Sequence, residues 1–284
     1  MRIFDAHHHL WDPRKRFYAW MSDDVAPIRR AYTLEDLRAA LPSEVKKTIV
    51  VQAVSSIGES EALLRIAAAS NGLIAGVVGW VDLRSDIVEV QLSRLLRAPG
   101  GSLLVGIRHQ VHDERDPHWL QRDEVMRGLA CLAEAGLTFD LLVRPRELPA
   151  AIATARELPQ LQFVVDHGAK PNIARGFWEP WSSRMAQVAA LPNVACKLSG
   201  LVTETDRKRW EAHQIVPYIR RLLNLFGPER LMFGSDWPVC TLAASYEQVL
   251  ALAQEPLRGL HPSELDAIFY ANAERVYGLK RVMA

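Results

Sequence analysis

Eight short runs rich in Val, Ile, Leu and Phe recur along this chain, and nearly every one is followed by a stretch with helical spacing. They fall at residues 2–6, 48–53, 75–81, 103–109, 138–143, 162–166, 194–198 and 230–234. Near-continuous apolar runs of this length are the mark of strands buried on both faces. Helical patterns fill the intervals, at 60–69, 86–96, 122–134, 146–157, 180–190, 210–226 and 244–253. A further one opens at Thr33, which can cap a helix while Asp36, three residues on, answers it. Gly136 and the Gly227-Pro228 pair stand where helices should stop. Beyond the eighth unit, 262–269 and 272–277 read as two short closing helices. Such alternation predicts an α/β fold, a parallel (β/α)8 barrel of the TIM type. An open doubly wound sheet is the competing architecture, but it usually carries a glycine-rich phosphate loop after the first strand. Here histidines follow instead. The length of 284 residues suits a barrel of ~250 residues, and no linker, repeat or low-complexity tract interrupts it. We therefore read one domain spanning residues 1–284.

Composition narrows the function. The 34 basic and 33 acidic side chains leave a net charge of +1 and no basic field for nucleic acid. The longest apolar stretch, Leu73 to Val81, is far short of the ~20 residues that span a bilayer. Three scattered cysteines, Cys131, Cys196 and Cys240, form neither a disulfide framework nor a CxxC metal site. The N-terminus turns polar within five residues, unlike a secretory leader. The expectation is a soluble, cytoplasmic protein acting on a small molecule, without nucleic-acid or membrane partners. Oligomeric state is not legible.

In a barrel of this type the chemistry gathers at the C-terminal ends of the strands. Almost every predicted strand end here is polar. In order, they carry Asp5-Ala-His7-His8-His9, Gln52, Trp80-Val-Asp82, Arg108-His109-Gln110, Asp140 through Arg144, Asp166-His167-Gly-Ala-Lys170, Lys197-Leu-Ser199-Gly200 and Gly234-Ser235-Asp236-Trp237-Pro238. Buried charge is rare unless paired or functional, so this distribution describes a polar cup over an apolar core. Side chains alternate along a strand, so His7 and His9 share a face and His8 points away. Two such imidazoles can ligate a metal ion or bind an oxyanion. His167 closes an apolar strand and is followed by Gly168, which lets backbone or ligand approach closely. Asp236 follows the eighth strand through small residues, where it either caps a turn or acts at the barrel mouth. Arg108 and Lys197 interrupt strands and either line the site or form internal ion pairs. Several tryptophans in loops after strands suit a sugar-like ring as well as simple packing.

Four motifs in order resemble the amidohydrolase superfamily across effectively the whole chain. They are Asp5-Ala-His7-His8-His9-Leu-Trp-Asp12-Pro13, Val165-Asp166-His167-Gly-Ala-Lys170-Pro171, Lys197-Leu-Ser-Gly200 and Arg230-Leu-Met-Phe-Gly-Ser-Asp236-Trp237-Pro238. The likeness is to the amidohydrolase-related branch, which contains sugar lactonases and pyrone-dicarboxylate lactonases. It implies a distorted barrel and hydrolysis of a cyclic ester. His7 and His9 then match the first-strand pair, His167 the sixth-strand histidine and Asp236 the eighth-strand aspartate. Arg108 stands where two-metal members carry a bridging lysine, and no histidine ends strand five, so two zinc ions are not expected. The cofactor expectation is none, or one divalent ion, zinc foremost, on His7, His9 and Asp236 with His167.

A lactone needs a base for water, charge to hold the carbonyl oxygen, and a proton for the leaving ring oxygen. We expect Asp236 to act on water, with His167 and His7 or His9 at the carbonyl oxygen. Arg108, Lys197, Lys170, Gln52, Trp80 and Trp237 are the expected substrate contacts. One arginine and two lysines fall short of a dicarboxylate clamp, which favours a neutral sugar-acid lactone. A pyrone-dicarboxylate lactonase and a metal-dependent decarboxylase are the alternatives.

Overall fold

The computed structural model describes residues 1–279. It contains β1 (Ile3–His8), β2 (Val45–Val51), β3 (Ile74–Gly79), β4 (Leu104–His109), β5 (Thr138–Leu141), β6 (Phe163–Val165), β7 (Val194–Leu198) and β8 (Leu231–Phe233). The strands pair in parallel in sequence order, β1 to β8, as expected of a (β/α)8 barrel. Helices α1 (Leu34–Ala40), α2 (Ile57–Ala68), α3 (Val88–Arg97), α4 (Asp123–Glu134), α5 (Leu148–Glu157), α6 (Trp181–Ala189), α7 (Ala212–Phe226) and α8 (Tyr246–Gln254) return the chain between strands and follow the last. Thr33 and Asp36 form the capping box read from the sequence. Among the described residues no helix is long and apolar enough to cross a membrane.

The barrel is distorted in two ways. Pairing slips in register between β1 and β2, β2 and β3, and β3 and β4. The seam between β8 and β1 is closed without a regular ladder. Asp236 N donates to His7 O at 2.8 Å and His9 N to Trp237 O at 2.7 Å. Below them the buried Asp5 carboxylate accepts from Ser235 N at 2.8 Å, Ser235 Oγ at 2.6 Å and Tyr246 Oη at 2.9 Å. Gly234 permits this approach, because a Cβ there would lie 2.7 Å from His7 Cβ.

Phe4, Ile49, Val51, Val78, Val164 and Met232 fill the barrel interior, while a larger apolar layer seals the helices against the strands. The two closing helices expected from the sequence are one helical stretch, 262–276. Pro262–Asp266 and Asn272–Val276 are α-helical and are joined through a π-helical segment, Ala267–Ala271, with helical backbone at both junctions. No glycine or proline lies between Pro262 and Gly278 to stop it. This stretch plugs the lower end of the barrel with Tyr270, Ala273, Val276 and Tyr277.

Candidate active site

The end of β1 directs His7 and His9 to one side, with their Nε2 atoms 3.2 Å apart. His8 turns the other way, its Nε2 2.9 Å from Thr48 Oγ1. His9 Nδ1 lies 2.7 Å from Val51 O. A carbonyl only accepts, so Nδ1 carries the proton and Nε2 presents a lone pair. From the far side of the seam, Asp236 Oδ1 comes within 3.4 Å of His9 Nε2, 3.8 Å of His7 Nε2 and 3.9 Å of His167 Nε2. His167 is held at Nδ1 by Ser199 Oγ, 2.9 Å away. The four side chains singled out in the sequence thus converge.

Two of them reach this point through left-handed backbone: φ is 54° at His167 and 57° at Asp236, a conformation that costs an L-residue energy and gathers at functional sites. Gly200, also at positive φ, lies against both. A Cβ there would fall 2.4 Å from His167 Nδ1 and 3.1 Å from Asp236 Oδ2.

A buried charge column supports the group from below. Arg108 Nη1 lies 3.2 Å from His7 Nε2 and donates to Asp166 Oδ2 at 3.0 Å. Lys197 Nζ pairs with Asp140 Oδ2 at 2.6 Å and Asp166 Oδ1 at 2.9 Å, and lies 3.1 Å from His7 Nδ1. Tyr277 Oη donates to Asp140 Oδ2 at 2.8 Å. Arg108 can only donate, so its Nη1–H meets a lone pair on His7 Nε2. Lys197 also only donates, but Asp140 and Asp166 take its protons, and we therefore assign the His7 proton to Nδ1, 3.2 Å from Asp166 Oδ1.

Burial pushes the His7 imidazole well below the usual histidine range, His9 below it as well, and His167 down to about 4. Burial alone would raise the Asp236 carboxyl. In acid, where they are protonated, the neighbouring His167, His9 and His7 imidazolium groups outweigh it and hold Asp236 well below the carboxylate range. At neutral pH the site is an ionised carboxylate among neutral imidazoles.

His9, His167, Asp236, Arg108 and Lys170 face a cavity of about 160 Å³ at the barrel mouth, walled by Trp11 and Trp20. A larger cleft of about 390 Å³ lies beyond Trp11, and none of the histidines or Asp236 reaches it. The remaining expectations divide. Lys170 faces the cavity with its ammonium on Glu204, 2.5 Å away. Lys197, expected to touch substrate, is fully buried beneath His7, because two carboxylates draw it down into the barrel. Gln52 is also off the cavity, donating to Arg108 O at 3.0 Å and bonded to Gln110. Trp80 donates its indole N–H to His109 Nδ1, and Trp237 packs edge-on against Tyr32; neither lines the cavity. Gln110, His112 and Asp113 do line it and were missed as a group. The polar run directly after β4 is the signal that would have found them.

His7, His9 and Asp236 fit a single divalent ion. Three lone-pair-bearing atoms, His7 Nε2, His9 Nε2 and Asp236 Oδ1, stand 3.2, 3.4 and 3.8 Å apart. Ligand atoms at zinc distances in a tetrahedral site are about 3.4 Å from one another. A second grouping, His7, Asp166 and His167, is less open, because Asp166 already answers Lys197 and Arg108. Nδ1–H of His9 on Val51 O and Nδ1–H of His7 toward Asp166 are the outer bonds that ligating histidines use.

The amidohydrolase family profile matches residues 4–279. The chain is 37% identical to an L-fucono-1,5-lactonase of Burkholderia ambifaria over 282 residues, 98% of this chain and 96% of that protein. It is similar to an amidohydrolase from Burkholderia multivorans crystallised with bound HEPES, with a TM-score of 0.92 and 34% identity over 99% of this chain and all of that one. A second crystal structure from that organism, with bound zinc, gives a TM-score of 0.91 at 35% identity over the same share of both chains.

Proposed function

The chain belongs to the amidohydrolase family, and on that premise we propose that it is a hydrolase that opens a sugar-acid lactone of the L-fucono-1,5-lactone kind. The observation that carries this reading is the ionised Asp236 carboxylate within 3.9 Å of three neutral imidazoles on a small, aromatic-walled cavity.

Asp236 is the base that takes a proton from the attacking water, and the same carboxyl returns it to the ring oxygen as the ester opens. Its low proton affinity suits an activated ester better than an amide. His9 Nε2 presents a lone pair and so cannot donate to a carbonyl oxygen; the donors facing the cavity are Arg108, Lys170 and, with Ser199 donating to Nδ1, His167 Nε2–H. We assign His167 and Arg108 to the carbonyl oxygen as charge develops. Trp11 and Trp20 offer flat faces to the C–H side of a sugar ring, and Lys170 with the polar run after β4 faces its hydroxyls. His7, His9 and Asp236 are the residues that would hold a divalent ion, zinc foremost, whose charge polarises a carbonyl.

Both cations at the cavity are already paired, Arg108 with Asp166 and Lys170 with Glu204. That favours a neutral lactone over a dicarboxylate. The test is a panel of aldonolactones and pyrone dicarboxylates followed by acid release with a pH indicator. We expect turnover of a six-membered L-sugar lactone, and a loss of about 10²–10⁴-fold in Asp236→Asn. Failure of every aldonolactone, or wild-type turnover in that variant, overturns the reading.

A further inference from the structure

We propose that Arg108 is a built-in cation of the His7–His9–Asp236 triangle, and that it holds the affinity of this site for divalent metal down by occupying the His7 lone pair. Three acceptor atoms within 3.8 Å of one another need positive charge between or beside them. Arg108 Nη1 supplies it, 3.2 Å from His7 Nε2. The guanidinium is not free to leave. Nη1 also bonds Asp166 at 3.0 Å, Nη2 donates to Gln52 O, and the Gln52 side chain returns a bond to Arg108 O at 3.0 Å. The side chain is almost fully buried.

A metal ion on His7 requires the same lone pair. It therefore has to break the Arg108–His7 bond and sit beside a fixed guanidinium at low dielectric. Removing that charge should tighten metal binding even though no ligand is added. This argument concerns the triangle alone and stands apart from the identity of the substrate.

Zinc affinity of the metal-stripped protein, measured by competition with a chromophoric chelator, tests it. Arg108→Met is expected to bind one zinc ion about tenfold or more tightly than wild type, whereas Arg108→Lys, which keeps a cation there, stays within about threefold. Circular dichroism reports whether Arg108→Met is folded. If it is not, Arg108→Gln, whose amide can still donate to Asp166, provides the neutral variant. Adding His9→Asn to the neutral variant should abolish the gain. Neutral variants no tighter than wild type, a lysine variant as tight as the neutral ones, or a gain that survives loss of His9 would each overturn the proposal.

Discussion

Asp236 holds its carboxylate at the centre of the site on backbone that an L-residue resists, with φ at 57°, and His167, Ala169 and Lys170 share that left-handed region at 54°, 61° and 49°. The strain lets two strand ends turn back over the barrel mouth. It also predicts an ordering of variants that contacts alone would reverse. Asp236→Gly should be more stable than Asp236→Ala by roughly 1 kcal/mol, although alanine fills more space, because glycine pays no cost at positive φ. Both should lack activity. Urea unfolding of the two proteins decides it, and an alanine variant equal to or more stable than the glycine variant rules out the strain argument. None of this was visible in the sequence, where only Gly168 was read as a place of close approach. What the sequence did reveal at this scale was parity: His7 and His9 share a face because they are two residues apart. Depth was hidden. A lysine in a strand signals a buried partner but not whether that partner lies above or below, and Lys197 reaches down to Asp140 and Asp166 rather than up to a substrate.

The elements were more legible than their ends. Eight apolar runs gave eight strands, since each strand is covered on both faces and leaves a continuous signature. β6 and β8 stop after three residues because the following Asp166–His167 and Gly234–Asp236 segments leave extended geometry to reach the site. β2 begins at Val45, with Lys46 exposed and Lys47 half-buried near its start, where the apolar signal fades. The two closing helices are present, and what pattern could not anticipate is the π-helical segment that joins them into one stretch. That helix does more than cap the barrel. Tyr277 at its end is a fully buried donor to Asp140, whose carboxyl is pushed up to about 6 by burial despite Lys197 beside it. Tyr277→Phe should therefore cost about 1.5–3 kcal/mol, the range for a hydrogen bond to a charged group. Activity per folded molecule should change little, because the cavity walls are untouched. Chemical unfolding paired with initial rates checks both halves. A variant of full stability would show that the tyrosine hydroxyl does not support the column, and a stable variant with abolished turnover would show that its role is catalytic positioning instead.

Across the whole molecule, the polar cup makes stability depend on pH with a definite sign. Burial lowers the pKa of His7, His9 and His109, and brings His8 and His112 to about 3 and His167 to about 4. The folded state thus refuses protons that the unfolded chain accepts near its ordinary value of 6.5, so stability is full above that pH and falls as the solution is acidified below it. Asp5 and Asp140 oppose this. Burial raises both to about 6 and raises Glu59 and Asp113 as well, so the folded state takes up these four protons first and gains stability as the pH falls from about 6 toward 4. Six imidazoles against four carboxylates leave an excess of about two protons on the unfolded chain, a slope of at most about 3 kcal/mol per pH unit. Between about pH 6 and 4.5 the protein should lose up to about 4 kcal/mol, a large share of the ~5–15 kcal/mol of a typical fold. The measurement is the urea midpoint of chelator-treated protein from pH 7 to 4.5. His112, on the cavity wall but outside the metal triangle, isolates one contribution: His112→Gln should flatten the acid limb by up to about 1.4 kcal/mol per pH unit. A urea midpoint that does not move between pH 7 and 5 would mean that these imidazoles are already protonated in the folded protein, and the neutral-histidine site from which the mechanism starts would have to be abandoned.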